Sequence, residues 1–208
     1  MNYIKPSILI VDNYDSFTFN LVQIIREYGK CDFDVEKSDK IKISEVGMYD
    51  GVLFSPGPGI PAEVPVMAEL LKVYGEKKSI LGVCLGYQSI AETFGMKLVK
   101  LDNVRHGVKA RIRILEPADY VFKGIPSEFD AGLYHSWGVY YDRNTQFSDS
   151  SLRITALSND GIIMGIAHIR FNIRGVQFHP ESFMSEYGFL IVQNWINNLF
   201  VNSTMNGT

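Results

Sequence analysis

Hydrophobic positions in the first half of the chain follow two periodicities in turn. Short apolar runs alternate with longer segments in which apolar residues recur every three or four positions. The runs are typical of buried strands, and the spaced segments are typical of helices that bury one face. The predicted strands are residues 7–11, 33–37, 51–55 and 79–81, and the predicted helices are residues 17–27, 64–74 and 87–94. This alternation predicts an open, mostly parallel sheet with helices on both faces.

The second half of the chain has a different pattern, in which strand candidates follow one another through short turns. These candidates are residues 108–115, 128–134, 152–157, 162–169 and 173–178. We expect them to add antiparallel strands to the sheet or to form a small second sheet. A final amphipathic helix is predicted at about residues 185–200. No linker or repeat interrupts the pattern, so we expect one α/β domain over residues 1–200 and a disordered tail over residues 201–208.

Composition narrows the classes of function. The 208 residues carry 20 basic and 23 acidic side chains, a formal charge of −3, without any run of like charges. This balance argues against nucleic acid and anionic membrane as main partners. There are only two cysteines, no secretory leader and no apolar stretch approaching the roughly 20 residues of a membrane span. We therefore expect a cytoplasmic protein that needs neither a disulfide nor a metal for its stability.

The most informative chemistry lies at a predicted strand-to-helix turn. In residues 82–86, GVCLG, the thiol of Cys84 follows a buried strand, precedes a helix and stands among glycines, which is the pattern of a nucleophile elbow. Glycines permit the tight, strained turn, and the start of a helix favours a thiolate. An isolated cysteine is more often a small buried hydrophobe, and we assign that role to Cys31, which has no such context. Cys84 is the candidate nucleophile.

A second segment, QFHPE at residues 177–181, supplies a candidate base. His179 and Glu181 stand two residues apart at the end of a predicted strand, so their side chains point to the same side of the extended chain. The carboxylate can then bond one ring nitrogen and leave the other facing the thiol. Pro180 between them stiffens the pair. Together with Cys84, these residues predict a Cys-His-Glu triad. The alternative requires a structural cysteine at a strand-to-helix turn and a structural histidine at a strand end to occur in one chain by chance.

With these motifs the chain resembles the class I, triad-type glutamine amidotransferases. More narrowly, it is similar to the small subunits of anthranilate synthase and aminodeoxychorismate synthase. The resemblance covers almost the whole chain and rests on motifs in a specific order, at residues 11–18, 55–61, 82–86, 104–107, 134–136 and 177–182. Two positions depart from the pattern of the family, with Tyr87 where relatives often carry His and Trp137 where they often carry Leu.

The resemblance implies a reaction and a set of site residues. Cys84 would attack the side-chain amide of L-glutamine, release ammonia and form a γ-glutamyl thioester that water hydrolyses. His179 would transfer the proton and Glu181 would orient the ring. The N–H of Leu85, which the elbow itself suggests, and the N–H of Gly57 would bind the oxyanion. The implied substrate-binding residues are Gly57, Pro58, Gly59, Gln88, Ser136 and Trp137, and we expect no metal and no cofactor.

The synthase part of such an enzyme is absent from this chain. The resemblance therefore implies a partner, the large chorismate-binding synthase subunit, to which ammonia passes through an internal route. Three alternatives stay open: a stand-alone γ-glutamyl hydrolase, a non-catalytic regulatory module, and a flavodoxin-like binding protein that would leave the His-Pro-Glu segment unexplained. Strong hydrolysis without a partner would favour the first, and absence of Cys84 labelling by a glutamine analogue would favour the second. Synthesis of anthranilate and of 4-amino-4-deoxychorismate are equally compatible with these motifs.

Overall fold

Nine strands form one sheet in the computed structural model, which describes residues 5–140 and 151–205. The strands in chain order are β1 (Ser7–Asp12), β2 (Asp32–Lys37), β3 (Gly51–Phe54), β4 (Ser79–Val83), β5 (Val99–Ile114), β6 (Glu128–Gly138), β7 (Leu152–Ser158), β8 (Ile163–His168) and β9 (Ile173–Val176). The α-helices are α1 (Thr18–Tyr28), α2 (Pro65–Tyr74), α3 (Leu85–Thr93) and α4 (Gly188–Met205). Short 3-10 helices occupy Ser38–Lys40, Ile43–Met48, Pro61–Glu63 and Tyr120–Phe122. The strand order is β2-β1-β3-β4-β9-β8-β7-β5-β6.

The first five strands in this order, from β2 to β9, pair in parallel. Alternate residues of β1 enter two different cores: Ile8 and Ile10 pack with α1 and α4, whereas Leu9 and Val11 pack with α2 and α3. The predicted α/β sheet with helices on both faces is therefore confirmed, and its parallel part has the β2-β1-β3-β4 order of a flavodoxin-like fold. Parallel strands end at one edge, so the segments that follow β1, β3, β4 and β9 meet there.

The remaining strands, from β8 to β6, are antiparallel and continue the same sheet rather than forming a second one. β5 begins at Val99, whereas the hydrophobic pattern predicted a start at residue 108. Its first half pairs with β6 but is mostly exposed, and two register shifts interrupt the pairing. An exposed strand interrupted by bulges buries neither face continuously, so its residues need not alternate between apolar and polar. The hydrophobic pattern therefore did not predict the first half of β5.

α4 runs from Gly188 to Met205, whereas the sequence predicted a final helix at about residues 185–200. Adding residues to an existing helix gains one backbone hydrogen bond each without the cost of nucleation, so a polar sequence can continue a helix that packing has started. Residues 206–208 lie outside the described part of the chain. None of the helices in the described ranges combines the length and the apolarity that crossing a bilayer requires.

A buried carboxylate fixes β9, the strand that leads into the His-Pro-Glu segment. Asp119 is only 4% exposed. Its Oδ2 lies 2.6 Å from Nη2 of Arg153 on β7 and 2.8 Å from Nε of Arg174 on β9. The guanidinium of Arg174 also lies 4.8 Å above the centre of the Tyr120 ring. One carboxylate thus joins β7 and β9 to the segment between β5 and β6.

Asp119→Asn should lower the free energy of unfolding by about 3–5 kcal/mol, because the mostly buried Arg174 and the half-buried Arg153 would lose the buried carboxylate that both bind. Urea unfolding followed by circular dichroism measures the change. Glu128→Gln is the matched control, since that carboxylate pairs with Arg111 at the surface and should have a much smaller effect. Equal losses in the two variants would contradict a structural role for the buried cluster.

Candidate active site

Cys84 occupies the predicted sharp turn between β4 and α3. Its backbone has φ 51° and ψ −101°, a conformation that side-chain-bearing residues rarely adopt. The N–H of Cys84 donates to the carbonyl oxygen of Val176 at 2.9 Å, and the N–H of Gln88 donates to the carbonyl oxygen of Cys84 at 2.9 Å. The first bond ties the turn to β9 and the second begins α3. The strained residue is therefore held from both sides, with its sulfur at the helix N-terminus.

Glycines on either side of the thiol make this turn possible. A Cβ at Gly86 would lie 2.5 Å from Cβ and 2.6 Å from the carbonyl oxygen of Phe54. A Cβ at Gly82 would lie 2.6 Å from the carbonyl oxygen of Gly86 and from Cδ1 of Ile90. Atoms cannot approach so closely without displacement of the backbone. These contacts explain why the chain carries glycine at both positions.

His179 and Glu181 form a short, buried hydrogen bond, with Nδ1 of the ring 2.6 Å from Oε1 of the carboxylate. Their side chains are 2% and 0% exposed. Because the carboxylate accepts, Nδ1 carries the proton and donates it. Nε2 is buried without a close hydrogen-bond partner among the described residues. The rings of Phe17 and Tyr134 meet the imidazole edge-on at centroid distances of 5.2 Å and 4.9 Å, which restricts its rotation.

The charges around His179 raise its pKa. Burial alone would lower that pKa, but the negative charge of Cys84 and the carboxylate of Glu181 outweigh burial and raise the pKa well above 6.5. The ring is therefore an imidazolium at neutral pH, and such a cation stabilises a nearby thiolate. Cys31 has no such neighbour, and burial, helped by Asp32, raises its pKa to about 11. Burial likewise lowers the pKa of His135 to about 4, so this second buried histidine is neutral.

The two predicted oxyanion donors are neighbours in space. Leu85 is the first residue of α3, where backbone N–H groups have no partner within the helix. Gly57 follows β3 and packs so closely that a Cβ there would lie 2.6 Å from Cδ2 of Leu85 and 2.7 Å from Cβ of Asn13. Asn13, after β1, donates from Nδ2 to the carbonyl oxygen of Ser55 at 2.8 Å. Three loops from the carboxyl ends of parallel strands thus meet beside the thiol.

The other predicted substrate-binding residues occupy two separate environments. Gln88 is 3% exposed, and its Nε2 donates to the carbonyl oxygen of Trp137 at 3.0 Å. Ser136 and Trp137 are half-buried on β6. Pro58 and Gly59 lie on the exposed part of their loop, and the positive φ of Gly59, 78°, forms a turn there. The structure brings Gln88 and Trp137 together, whereas Pro58 and Gly59 face solvent.

Tyr87, one of the two departures from the family pattern, is buried in the core. Its side chain is fully buried, and its hydroxyl donates to the carbonyl oxygen of Ile163 at 2.8 Å. Burial raises the pKa of this phenol far above its usual range. The hydroxyl therefore joins α3 to β8 as a neutral donor.

Sequence reasoning missed three side chains that surround the thiol and the imidazole, namely Phe17, Tyr134 and Gln177. Gln177 is fully buried, and its Nε2 donates to Sγ of Cys84 at 3.6 Å. Gln177 precedes His179 by two residues, just as His179 precedes Glu181, so the sequence contained a signal for this contact. Phe17 and Tyr134 lie within motifs at residues 11–18 and 134–136, but nothing in the sequence paired them, because they come from different parts of the chain.

The arrangement is suited to covalent attack on a carbonyl carbon. It combines a thiol, an imidazolium whose position is fixed by a carboxylate, and a helix N-terminus whose N–H groups can bind a developing oxyanion. Within residues 5–140 and 151–205, no three His, Cys, Asp or Glu side chains are grouped so that they could hold a metal ion.

Comparisons with known proteins point to one family. The model of the family described as glutamine amidotransferase class-I matches residues 9–199. A Haemophilus influenzae protein provisionally named anthranilate synthase component II is 44% identical over 189 residues, which cover 91% of this chain and 95% of that protein. The aminodeoxychorismate/anthranilate synthase component 2 of Bacillus subtilis is 39% identical over 191 residues, which cover 91% of this chain and 95% of that protein. A solved structure from Thermoplasma acidophilum, provisionally described as one subunit of GMP synthase, matches with a TM-score of 0.87 and 25% identity over the whole of both chains.

Gly86→Ala should displace the turn that presents the thiol, because the new methyl group would overlap the backbone of Phe54. We expect the free energy of unfolding to fall by about 1–3 kcal/mol and alkylation of Cys84 by iodoacetamide to slow. Gly47→Ala is the control, since a Cβ there would lie at an ordinary 3.6 Å from Oη of Tyr74. Unchanged alkylation of Cys84 in the folded Gly86→Ala protein would refute the steric argument.

Glu181→Gln should lower the pKa of His179. The amide oxygen can still accept from Nδ1, but the negative charge that favours the imidazolium is lost. An NMR titration of protein labelled with ¹⁵N in its histidines would detect the shift to lower pH. Glu186→Gln, an exposed acid near the same segment, should leave the titration unchanged. A His179 titration that stayed in place or moved to higher pH in Glu181→Gln would contradict this electrostatic role.

Proposed function

Because this chain belongs to the class-I glutamine amidotransferase family and is of the anthranilate synthase component II type, we propose that Cys84, His179 and Glu181 are its catalytic triad. The triad hydrolyses L-glutamine to glutamate and ammonia. The observation that carries this proposal is the buried 2.6 Å hydrogen bond between His179 and Glu181, in the same segment whose Gln177 side chain contacts Sγ of Cys84. A cysteine and a histidine so coupled at a strained helix N-terminus form an activated nucleophile.

In the first half of the reaction the thiolate attacks the side-chain amide carbon of glutamine. A C–S bond forms, and the carbonyl electron pair moves onto oxygen, where the N–H groups of Leu85 and Gly57 stabilise it. Each such donor contributes roughly 3 kcal/mol to lowering the barrier. The imidazolium of His179 gives its proton to the departing nitrogen, the C–N bond breaks, and ammonia leaves a γ-glutamyl thioester on Cys84.

In the second half water replaces the thiol. His179, now neutral, accepts a proton from the attacking water, and the oxygen bonds to the thioester carbon. The same two donors bind the second oxyanion before the C–S bond breaks. Glutamate leaves, and the thiolate and imidazolium are restored. Glu181 keeps Nδ1 protonated throughout, so Nε2 is the nitrogen that exchanges protons.

Glutamine itself is held by two segments on opposite sides of the thiol. The backbone of Ser136 and Trp137 binds the head group, and Gln88 fixes that backbone through its 3.0 Å hydrogen bond to the carbonyl of Trp137. Residues 57–59 line the entrance on the other side. The conformational freedom of Gly57 and Gly59 allows their backbone to approach the substrate.

The ammonia is delivered to a large, chorismate-binding synthase subunit. The relatives from Haemophilus influenzae and Bacillus subtilis are both named as second components of synthases that make anthranilate or aminodeoxychorismate. Exposed aromatic side chains on this chain support such a partner: Phe183, two residues after Glu181, is 93% exposed, and Phe19 is 61% exposed. Either product, on the way to tryptophan or to folate, fits the site. Two unpaired cysteines fit a reducing compartment, and we place the complex in the cytoplasm.

Cys84→Ala, assayed with its synthase partner, should abolish product formation from glutamine and leave product formation from ammonium salts intact. The variant removes the nucleophile but not the ammonia-using subunit. Cys31→Ala, which changes the other buried thiol, should keep both activities. Aminated product from glutamine with the Cys84→Ala chain would refute the triad, and rapid glutamine hydrolysis by the unpartnered wild type would favour a stand-alone hydrolase.

A further inference from the structure

A chain of hydrogen bonds links β6 to the sulfur of Cys84 through two side-chain amides. Nε2 of Gln88 donates to the carbonyl oxygen of Trp137 at 3.0 Å and to Oε1 of Gln177 at 3.2 Å. Nε2 of Gln177 then donates to Sγ of Cys84 at 3.6 Å. Gln88 is 3% exposed and Gln177 is 0% exposed. Bulk water therefore does not compete for these bonds.

The first acceptor determines the direction of every bond in this chain. A backbone carbonyl can only accept, so Gln88 must turn its NH₂ group towards Trp137. The same carbonyl oxygen also accepts a hydrogen bond from Nδ1 of His135, 2.8 Å away. The NH₂ group of Gln88 also faces Gln177, whose amide must present its oxygen there. The NH₂ group of Gln177 is consequently directed at the sulfur.

The polarity of that last contact matters for the nucleophile. The thiol and the thiolate of Cys84 both fit beside an N–H donor. The donor stabilises the thiolate more, because hydrogen bonds to ionised groups are about twice as strong as neutral ones. With the reverse orientation an amide oxygen would face the thiolate and repel it. A carbonyl on β6, two side chains away, excludes that orientation.

We propose that Gln177 is a further catalytic residue, which stabilises the Cys84 thiolate by N–H···S hydrogen bonding, with Gln88 as the positioning residue that orients its amide. The inference rests on the proposed role of Cys84 as nucleophile. Gln177 is well anchored for this task, since its backbone N–H donates to the carbonyl oxygen of Met164 at 3.0 Å. One five-residue segment then supplies the thiolate donor, the base and the orienting acid at residues 177, 179 and 181.

The pH dependence of Cys84 alkylation by iodoacetamide tests this inference without requiring glutamine. Gln177→Met keeps the size of the side chain and removes the donor, and Gln177→Asn withdraws the amide by one methylene group. Both should move the midpoint of the pH–rate profile up by about one unit, which makes the reaction roughly tenfold slower at pH values below the wild-type midpoint. Gln88→Met should cause a smaller shift, because the donor remains but loses its orientation. Gln23→Met, an exposed glutamine of α1, should cause none.

The outcomes separate this inference from the proposed function. Peptide mass spectrometry distinguishes alkylation of Cys84 from that of Cys31, which serves as the internal reference. Wild-type Cys84 no more reactive than Cys31 would overturn the nucleophile itself. A reactive wild type with unchanged profiles in Gln177→Met and Gln177→Asn would overturn only the role of Gln177. Failure of both variants to give the wild-type circular dichroism spectrum would also overturn it, in favour of an amide that serves the fold alone.

Discussion

The site depends on one strained residue and the hydrogen bond that holds it. Cys84 adopts φ 51° and ψ −101°, and its N–H is bound by the carbonyl of Val176 on β9. Such a conformation persists only where the surroundings leave the chain no alternative. Gly82 and Gly86 provide that confinement, because they let the strand, the turn and the helix pack in backbone contact. The Cys84 thiol is therefore positioned by the fold as a whole and not by the torsional preference of the residue itself.

The same bond explains why β9 is as important to the site as the elbow. The chain leaves the parallel sheet after β4, builds four antiparallel strands, and returns to place β9 directly against β4. This return brings residue 177 into contact with residue 84, 93 positions earlier. The buried Asp119, bound to arginines of β7 and β9, fixes the returning strand. The stability of the antiparallel half of the sheet is thus coupled to the geometry of the His179 ring and the Cys84 thiol.

Burial has opposite consequences for groups with and without partners in this protein. Burial raises the pKa of the Cys31 thiol to about 11 and lowers the pKa of His135 to about 4. Among the described residues, His135 has a hydrogen bond only to a backbone carbonyl. Both groups are kept neutral. His179 is equally buried, yet the charges of Cys84 and Glu181 raise its pKa. Low dielectric therefore suppresses the charge of a buried group that lacks a charged partner and favours it where opposite charges adjoin, as at His179.

The amino-acid sequence by itself determined the α/β alternation, the elbow at Cys84 and the pairing of His179 with Glu181, because each follows from spacing within a few residues. It did not predict the first half of β5 or the continuation of α4, where backbone pairing overrides a polar sequence. Nor did it predict the aromatic rings around His179, the amide of Gln177 at the sulfur or the charge of the imidazole. Tertiary structure decided these features, since each is an interaction between segments distant in the chain, and local periodicity carries no information about which distant segments meet.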